Sequence, residues 1–192
     1  MITTEVRFSY LNCFEPKENP SGKMKYSASI LIPKNDEVGV NEIKAAINAA
    51  VQKGIDGNKF TKAHADSGAL RIPLRDGDKE FESGDRGPEY RGHFFLNAAS
   101  DNKPGIVDKN AKPLFDPDVF YSGCYGRADL GFYPYNQAGN KGVGVGLNNL
   151  MFTREGDRLD GRQRAEDAFA AYASKTEDGM NEEVSGPAGD LE

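Results

Sequence analysis

The sequence predicts a mainly β fold with minor helices: one small barrel that carries a long insertion and an acidic C-terminal tail. Two observations predict it. Segments in which apolar and polar residues alternate outnumber segments with helical spacing, and turns rich in Gly separate them. The composition agrees, because the 192 residues include 22 glycines and only 38% are hydrophobic. Such a chain needs long polar loops and at least one solvated segment.

Alternation identifies the first two strands. Val6–Tyr10 places apolar residues at every second position, which predicts a half-buried strand. Met24–Ile32 alternates in the same way, and Pro33 ends this second strand. A helix follows, because apolar residues recur at helical spacing from Val40 to Val51 and Lys53-Gly54 resembles a conventional helix stop.

Three further strands complete a closed arrangement. Residues 54–92 have no clear period, so we expect a long, partly mobile insertion with a short strand at Leu70–Leu74. His93–Ala99, Tyr121–Tyr133 and Val143–Thr153 predict the remaining strands. Five short strands with Gly-rich turns favour a small barrel or sandwich over a parallel sheet, and the five-stranded OB barrel is the simplest closed solution.

The negative charge is concentrated at the C-terminal end. We expect a barrel domain over residues 1–173, ending in a short amphipathic helix near Phe169, and a disordered tail over 174–192. The net charge is −6. The acidic residues of the tail are Glu177, Asp178, Glu182, Glu183, Asp190 and Glu192. Residues 1–175 therefore hold 24 acidic and 24 basic residues, and a neutral body can still bind nucleic acid through a local basic stripe.

Several classes of protein are disfavoured. No apolar run approaches the length of a membrane span, and the N-terminus lacks the features of a secretory leader, so we expect a cytoplasmic protein with no membrane partner. Cys13 and Cys124 form no CxxC pair, and two histidines make no usual zinc set. We expect no metal and no cofactor.

No enzyme motif is present, and we expect no catalytic residue: the sequence contains no P-loop, HExxH, GxSxG or kinase set. Aspartates such as Asp76, Asp78 and Asp108 lie in loops, where this residue type usually forms turns. They leave one alternative open, a metal-dependent nuclease that acts on single strands.

The segment from Tyr121 to Tyr133 indicates a ligand-binding face. If the whole segment is a strand, its even positions are apolar and suit a barrel interior. The odd positions carry Tyr121, Tyr125, Arg127, Asp129 and Tyr133, and Tyr135 continues the series beyond Pro134. Tyrosine rings beside a cation suit stacked bases and phosphates. The alternative is that these rings pack beneath loops with their hydroxyl groups hydrogen-bonded.

Basic residues elsewhere extend this interpretation. Lys23 and Lys25 share the non-core face of the second strand with small serines. Arg91 precedes the His93–Ala99 strand and Phe95 lies within it, and Lys103 and Lys112 follow it in a loop. Cations interleaved with aromatic residues are what an electrostatic groove for unpaired strands needs. An ordinary solvated surface is the alternative for each lysine.

Several blocks resemble a phage family. They are Lys25-Tyr-Ser-Ala-Ser-Ile-Leu-Ile-Pro-Lys34, Lys103-Pro104, Tyr121-Ser-Gly-Cys-Tyr125, Tyr133-Pro-Tyr-Asn136, Asn140-Lys-Gly-Val143 and Leu147-Asn-Asn-Leu150. The pattern, over about residues 5–160, is similar to the phage single-stranded-DNA-binding proteins with an OB fold. The resemblance implies sequence-tolerant binding of single-stranded DNA and a role in phage replication or recombination in the host cytoplasm.

The acidic tail also matches that functional class, in which it commonly docks to a polymerase, helicase or primase. Here the chain ends Gly189-Asp-Leu-Glu192 without the terminal aromatic residue often found there, which leaves docking of the tail open. A virion structural protein and an RNA-binding protein are the remaining alternatives.

Overall fold

The computed structural model describes residues 1–161, 168–169 and 172. The chain divides into two units, Met1–Arg162 and Gln163–Glu192. Residues 168–169 of the second unit are helical. The remainder of the expected amphipathic helix, apart from residue 172, and the whole expected tail lie outside the described residues.

The first unit is built from strands with few helices. The strands are β1 (Val6–Glu18), β2 (Met24–Pro33), β3 (Arg75–Asp76), β4 (His93–Ser100), β5 (Gly105–Val107), β6 (Tyr125–Gln137) and β7 (Asn140–Arg154). The helices are α1 (Glu37–Asp56), α2 (Lys62–Asp66) and α3 (Gly77–Glu82), followed by a 3-10 turn at Pro88–Tyr90. No helix of the described part is long and apolar enough to cross a membrane.

Strand pairing closes a five-stranded barrel. β1 pairs with β2, β2 with β4, β6 with β7 and β6 with β1, all antiparallel. A parallel contact between Ala99 of β4 and Gly146 of β7 completes the circuit. β3 and β5 extend the sheet at its two ends, beside β4 and β7. The mainly β fold class is confirmed.

The barrel interior is apolar because every contributing strand directs alternate residues inward. Phe8, Ile30, Leu96, Leu130 and Leu147 are each at most 2% exposed. The apolar face of α1 joins the same cluster. The even positions of β6 behave as the sequence predicts. Cys124, before the strand, and Ala128 and Leu130 within it are buried, and Phe132 packs against them.

The first helix is longer than predicted. Asp36 caps its start by accepting a hydrogen bond from the Gly39 N–H, and the helix runs past Gly54 to Asp56. Gly54 does not stop the helix. A Cβ atom there would lie 2.2 Å from the Phe60 ring, so the glycine makes room for an aromatic side chain from the next segment. Gly57 takes the capping position. The predicted stop at Gly54 is therefore wrong.

Residues 54–92 are organised by short elements instead of being irregular. The predicted strand at Leu70–Leu74 is wrong: Arg71 makes a single bridge to Gly142, and the strand lies at Arg75–Asp76. Tyr90 is fully buried with Leu31 and Phe95 in a second small cluster. The Tyr90 hydroxyl donates to Ser29 Oγ at 2.9 Å, so this segment covers part of the outer surface of β2 and β4.

Candidate nucleic-acid interface

A row of small residues follows the strand register across the barrel wall. It runs from β6 through β7, β4 and β2 to β1, and consists of Gly131, Gly146, Ala99, Ser27 and Asn12. All five are at least partly exposed. We call this set the cross-strand row. Since none of its side chains is bulky, a ligand can approach the sheet closely along it.

Tyr133 stands beside the β6 and β7 end of the cross-strand row. Its register partner is Gly144, and a Cβ atom on Gly144 would lie 2.6 Å from the tip of the Tyr133 ring. The ring therefore lies over the glycine backbone, and 52% of the residue remains exposed. The glycines of β7 thus accommodate neighbouring groups: Gly144 the ring of Tyr133, and Gly142 the backbone of Arg71.

Lys25 flanks the other side of the row on β2. Two residues from Ser27, it shares the outward face and pairs with Asp101 at 2.5 Å. Lys103 follows in the loop after β4, with its ammonium group 5.9 Å from the Phe14 ring. Lys23 is exposed in the turn between β1 and β2, just before β2 begins. The structure brings these predicted lysines together along the β1–β2 hairpin.

The β6–β7 hairpin is braced from outside by the segment after α1. Lys59 Nζ donates to the Pro134 carbonyl at 3.0 Å, and Asn136 Nδ2 donates to the Lys59 carbonyl at 2.7 Å. Lys141 Nζ lies 3.0 Å from His64 Nε2. Tyr135 is half-buried within this hairpin. These contacts attach the segment from Lys59 to His64 to the hairpin that carries Tyr133.

Tyr125 and Arg127 lie farther along β6, away from the cross-strand row. The guanidinium group of Arg154 covers the Tyr125 ring at 3.5 Å from its centroid, and Arg7 lies at 5.6 Å. Arg127 is exposed and donates to the Thr3 carbonyl. A base can stack on this face of Tyr125 only if Arg154 moves aside. Arg154 is itself held by Glu5 at 3.0 Å.

Glu5 is ionised under ordinary conditions because of the same contacts. Burial opposes ionisation, but hydrogen bonds from Thr153 and Arg154 outweigh it and lower the pKa of the Glu5 carboxyl. The Arg154 guanidinium group therefore contacts both the ionised Glu5 carboxylate and the Tyr125 ring.

Two predicted contact residues are wrong. Tyr121 is 5% exposed and its hydroxyl donates to the Gly156 carbonyl. Strand β6 begins only at Tyr125, so the alternation that placed Tyr121 outward does not apply to it. Phe95 is fully buried, because the segment ending at Tyr90 covers the outer side of β4. Neither ring is available for stacking.

Arg91 and Lys112 remain on the surface in other places. Arg91 lies 5.2 Å from the Phe81 ring of α3. Lys112 belongs to a tight turn in which its N–H and that of Asn110 donate to Asp108. The first of these hydrogen bonds is the main cause that lowers the pKa of Asp108. Asp108 thus forms a turn.

Sequence analysis missed residues near the β1 end of the row. Tyr10 is 58% exposed and lies 5.6 Å from the guanidinium group of Arg86. Alternation in β1 assigns Tyr10 to the buried face, together with Val6 and Phe8. A β-bulge at this point turns the Tyr10 side chain to the outer face. The residue types in this segment do not indicate a bulge.

Two observations concern metal and thiol chemistry in the described part of the chain. No group of three or more His, Cys, Asp or Glu residues there could hold a metal ion. Both cysteines are fully buried, and burial raises the pKa of the Cys13 thiol to about 12. Thiols of this kind are poor nucleophiles.

The outer wall of this five-stranded barrel carries the cross-strand row, with lysines on one side and the exposed Tyr133 ring on the other. These features are typical of the nucleic-acid-binding barrel proteins. Comparison with known proteins agrees. The family model of the single-stranded-DNA-binding protein of Enterobacter phage Enc34 matches residues 1–180. The chain therefore belongs to this Enc34 single-stranded-DNA-binding protein family, and the resemblance found in the sequence is confirmed.

Relatives span most of the chain. Protein p50 of Acyrthosiphon pisum secondary endosymbiont phage 1 is 35% identical over 161 residues, which cover 81% of this chain and 84% of that protein. The bacteriophage Enc34 protein solved with single-stranded DNA has a TM-score of 0.62 and 21% identity, over 82% of this chain and 88% of the other. The T7 single-stranded-DNA-binding protein gp2.5 has a TM-score of 0.52 and 14% identity, over 85% and 97%. These two likenesses show a shared fold.

Proposed function

We propose that this protein binds single-stranded DNA with little sequence preference and supports phage DNA replication or recombination. The observation that carries the proposal is the cross-strand row, flanked by the exposed ring of Tyr133 and by Lys25. Membership of a family named for single-stranded DNA binding supports it.

The mechanism follows from the chemistry of an unpaired strand. Its bases expose faces that can stack on an aromatic ring, and stacking is open to every base, so the sequence matters little. Its phosphates need cations. Lys25 lies beside the row on β2, and Lys103 follows β4 in the neighbouring loop. Each phosphate that they neutralise releases counterions. The Asp101 carboxylate now paired with Lys25 would have to yield to a phosphate.

We propose a regulatory role for the acidic tail. Residues 176–192 carry six carboxylates and no basic residue, so the tail and DNA would compete for the same cations. By linkage, each then weakens the binding of the other. A tail released by DNA would become available to a replication protein such as a polymerase, helicase or primase.

Fluorescence anisotropy tests the proposal directly. We expect binding to a labelled single strand, weaker binding to duplex, and an affinity that falls with salt at a log–log slope of about −0.7 per neutralised phosphate. Tyr133→Ala should weaken binding roughly five- to 150-fold, the range for loss of one stacked base. Tyr133→Phe is the matched control, since it keeps the ring and should bind as the parent chain does.

Other outcomes identify the alternatives. Equal affinity for duplex and single strands would contradict the proposal, and tighter binding of RNA than of DNA would reassign the ligand. Degradation of the labelled strand after addition of Mg²⁺ or Mn²⁺ would show a nuclease. Tyr133→Ala with unchanged affinity would remove the stacking role from this residue.

A further inference from the structure

Tyr10 occupies an unusual backbone position. Between the pairs Ser9–Ser29 and Asn12–Ser27, two residues of β1 stand opposite one residue of β2, which is a β-bulge. Tyr10 has a φ of 46°, in the left-handed region where glycine is at ease and bulky residues are rare. The Asn12 side chain donates to the Tyr10 carbonyl at 3.0 Å and helps to hold the bulge.

The bulge turns the Tyr10 side chain out of the barrel. The residue is 58% exposed, although Phe8, two positions earlier, is fully buried. A glycine would form the same bulge with less strain, so packing and backbone geometry do not explain a tyrosine here. An exposed aromatic ring held in a strained conformation is the kind of feature that clusters at binding sites.

A fixed cation stands beside this ring. The guanidinium carbon of Arg86 lies 5.6 Å from the Tyr10 ring, and 5.3 and 5.4 Å from the buried rings of Tyr90 and Phe95. Glu80 pairs with Arg86 at 3.5 Å. Arg86 is thus anchored by two buried rings and one carboxylate while it faces a third, exposed ring.

Tyr10 also borders the cross-strand row. Asn12, the last member of the row, is two residues away and bonds to both Tyr10 and Ser27. Tyr133 stands at the opposite end of the row, on β6. A strand that follows the row from Tyr133 therefore leaves the barrel wall at Tyr10 and Arg86.

We propose that Tyr10 and Arg86 form a second nucleobase-binding platform, on which an unpaired base stacks against Tyr10 while Arg86 contacts the adjoining phosphate. The inference rests on the proposed function and names the far end of the DNA path. It assigns two contact positions to one strand, at the two ends of the same row of small residues.

A tryptophan reporter tests it. The chain contains no tryptophan, so Tyr10→Trp carries a single indole, whose emission a stacked base should quench. Phe115→Trp is the matched control, because Phe115 is 80% exposed and lies in a loop outside the row. We expect oligothymidylate to quench Trp emission in Tyr10→Trp and to leave it unchanged in Phe115→Trp.

A binding series adds an independent measurement. Tyr10→Gly suits the φ of the bulge and removes the ring, so the fold should persist while affinity for a long single strand falls roughly five- to 150-fold. A short oligonucleotide that reaches only the Tyr133 end should bind Tyr10→Gly and the parent chain equally.

The results separate the two proposals. Normal single-strand binding by Tyr10→Gly at every oligonucleotide length, or an unquenched Tyr10→Trp that still binds DNA by anisotropy, would overturn the second platform and leave the function intact. Failure of the parent chain to bind any single strand would overturn both.

Discussion

At the scale of single residues, the contact between Tyr133 and Gly144 determines how the exposed ring is presented. An alanine at position 144 would place a methyl group 2.6 Å from the outer end of the ring. The ring can move away by rotation of the Tyr133 side chain, because the close contact involves no backbone atom. We expect Gly144→Ala to weaken DNA binding with little loss of stability. The double variant Gly144→Ala/Tyr133→Ala should bind no more weakly than Tyr133→Ala, and an additive loss in this cycle would contradict the mechanism.

The two cysteines allow a second test at this scale. Both thiols are fully buried, and burial raises their pKa values, that of Cys13 to about 12. We expect neither to react with a thiol reagent at pH 8 in the native protein, and both to react once urea unfolds it. Titration with Ellman's reagent gives the answer, and rapid labelling of the folded protein would contradict the packing described for Cys13 and Cys124.

The sequence predicts residue positions only where a strand is regular. Tyr133 and Lys25 lie outward as alternation requires. Tyr121 precedes β6, and Tyr10 sits at a bulge, so the period of two gives the wrong side for each. Phe95 does point outward from the barrel, but a segment distant in sequence covers it. The tertiary contact between Tyr90 and Phe95 cannot be predicted from the local sequence around Phe95.

At the scale of elements, Lys34 joins the end of β2 to the start of α3. Its ammonium group lies 2.6 Å from Asp76 and 2.7 Å from Asp78. Hydrogen bonds from Lys34 are the main cause that lowers the pKa of each carboxyl group, and hydrogen bonds to Asp76 and Asp78 raise the pKa of Lys34. These ion pairs connect β3 and α3 to the end of β2 in the barrel.

This cluster predicts how stability depends on pH. Carboxyl groups whose pKa is lowered in the folded state stabilise it above their unfolded pKa of about 4, and this contribution is lost as the pH falls through the lowered value. Lys34→Met should therefore be less stable than the parent chain at pH 7, and the difference should shrink below about pH 4. Urea unfolding at several pH values measures it. A difference that is constant from pH 7 to pH 3 would contradict the role of the ion pairs.

Elements with a strong period were predictable, and short or covered ones were not. The barrel strands and α1 follow from alternation and helical spacing. β5 has three residues and β3 two, too few to show any period. The end of α1 was misjudged because Gly54 serves packing against Phe60, which a local stop signal cannot distinguish.

At the scale of the whole molecule, we expect the distribution of charge to control DNA binding. If the tail competes with DNA for the barrel's cations, deletion of residues 176–192 should increase affinity for single strands at low salt. The increase should fade as salt screens both partners. Anisotropy titrations of the full and shortened chains at two salt concentrations test this. Equal affinities at low salt would contradict competition, and a chain with the six tail carboxylates changed to amides controls for length.

The short contact between β4 and β7 that closes the barrel has a consequence for local opening of the structure. Among the described residues, β4 and β7 meet in register only at Ala99 and Gly146, which are 47 positions apart in the chain. A junction with so few backbone hydrogen bonds should open more readily than the long antiparallel pairs around it. Both residues also belong to the cross-strand row, so a DNA strand bound along the row, as we propose, would contact both β4 and β7 and stabilise the junction. Amide hydrogen exchange at these two positions should consequently slow on addition of oligonucleotide more than it does in the middle of the β1–β2 pair.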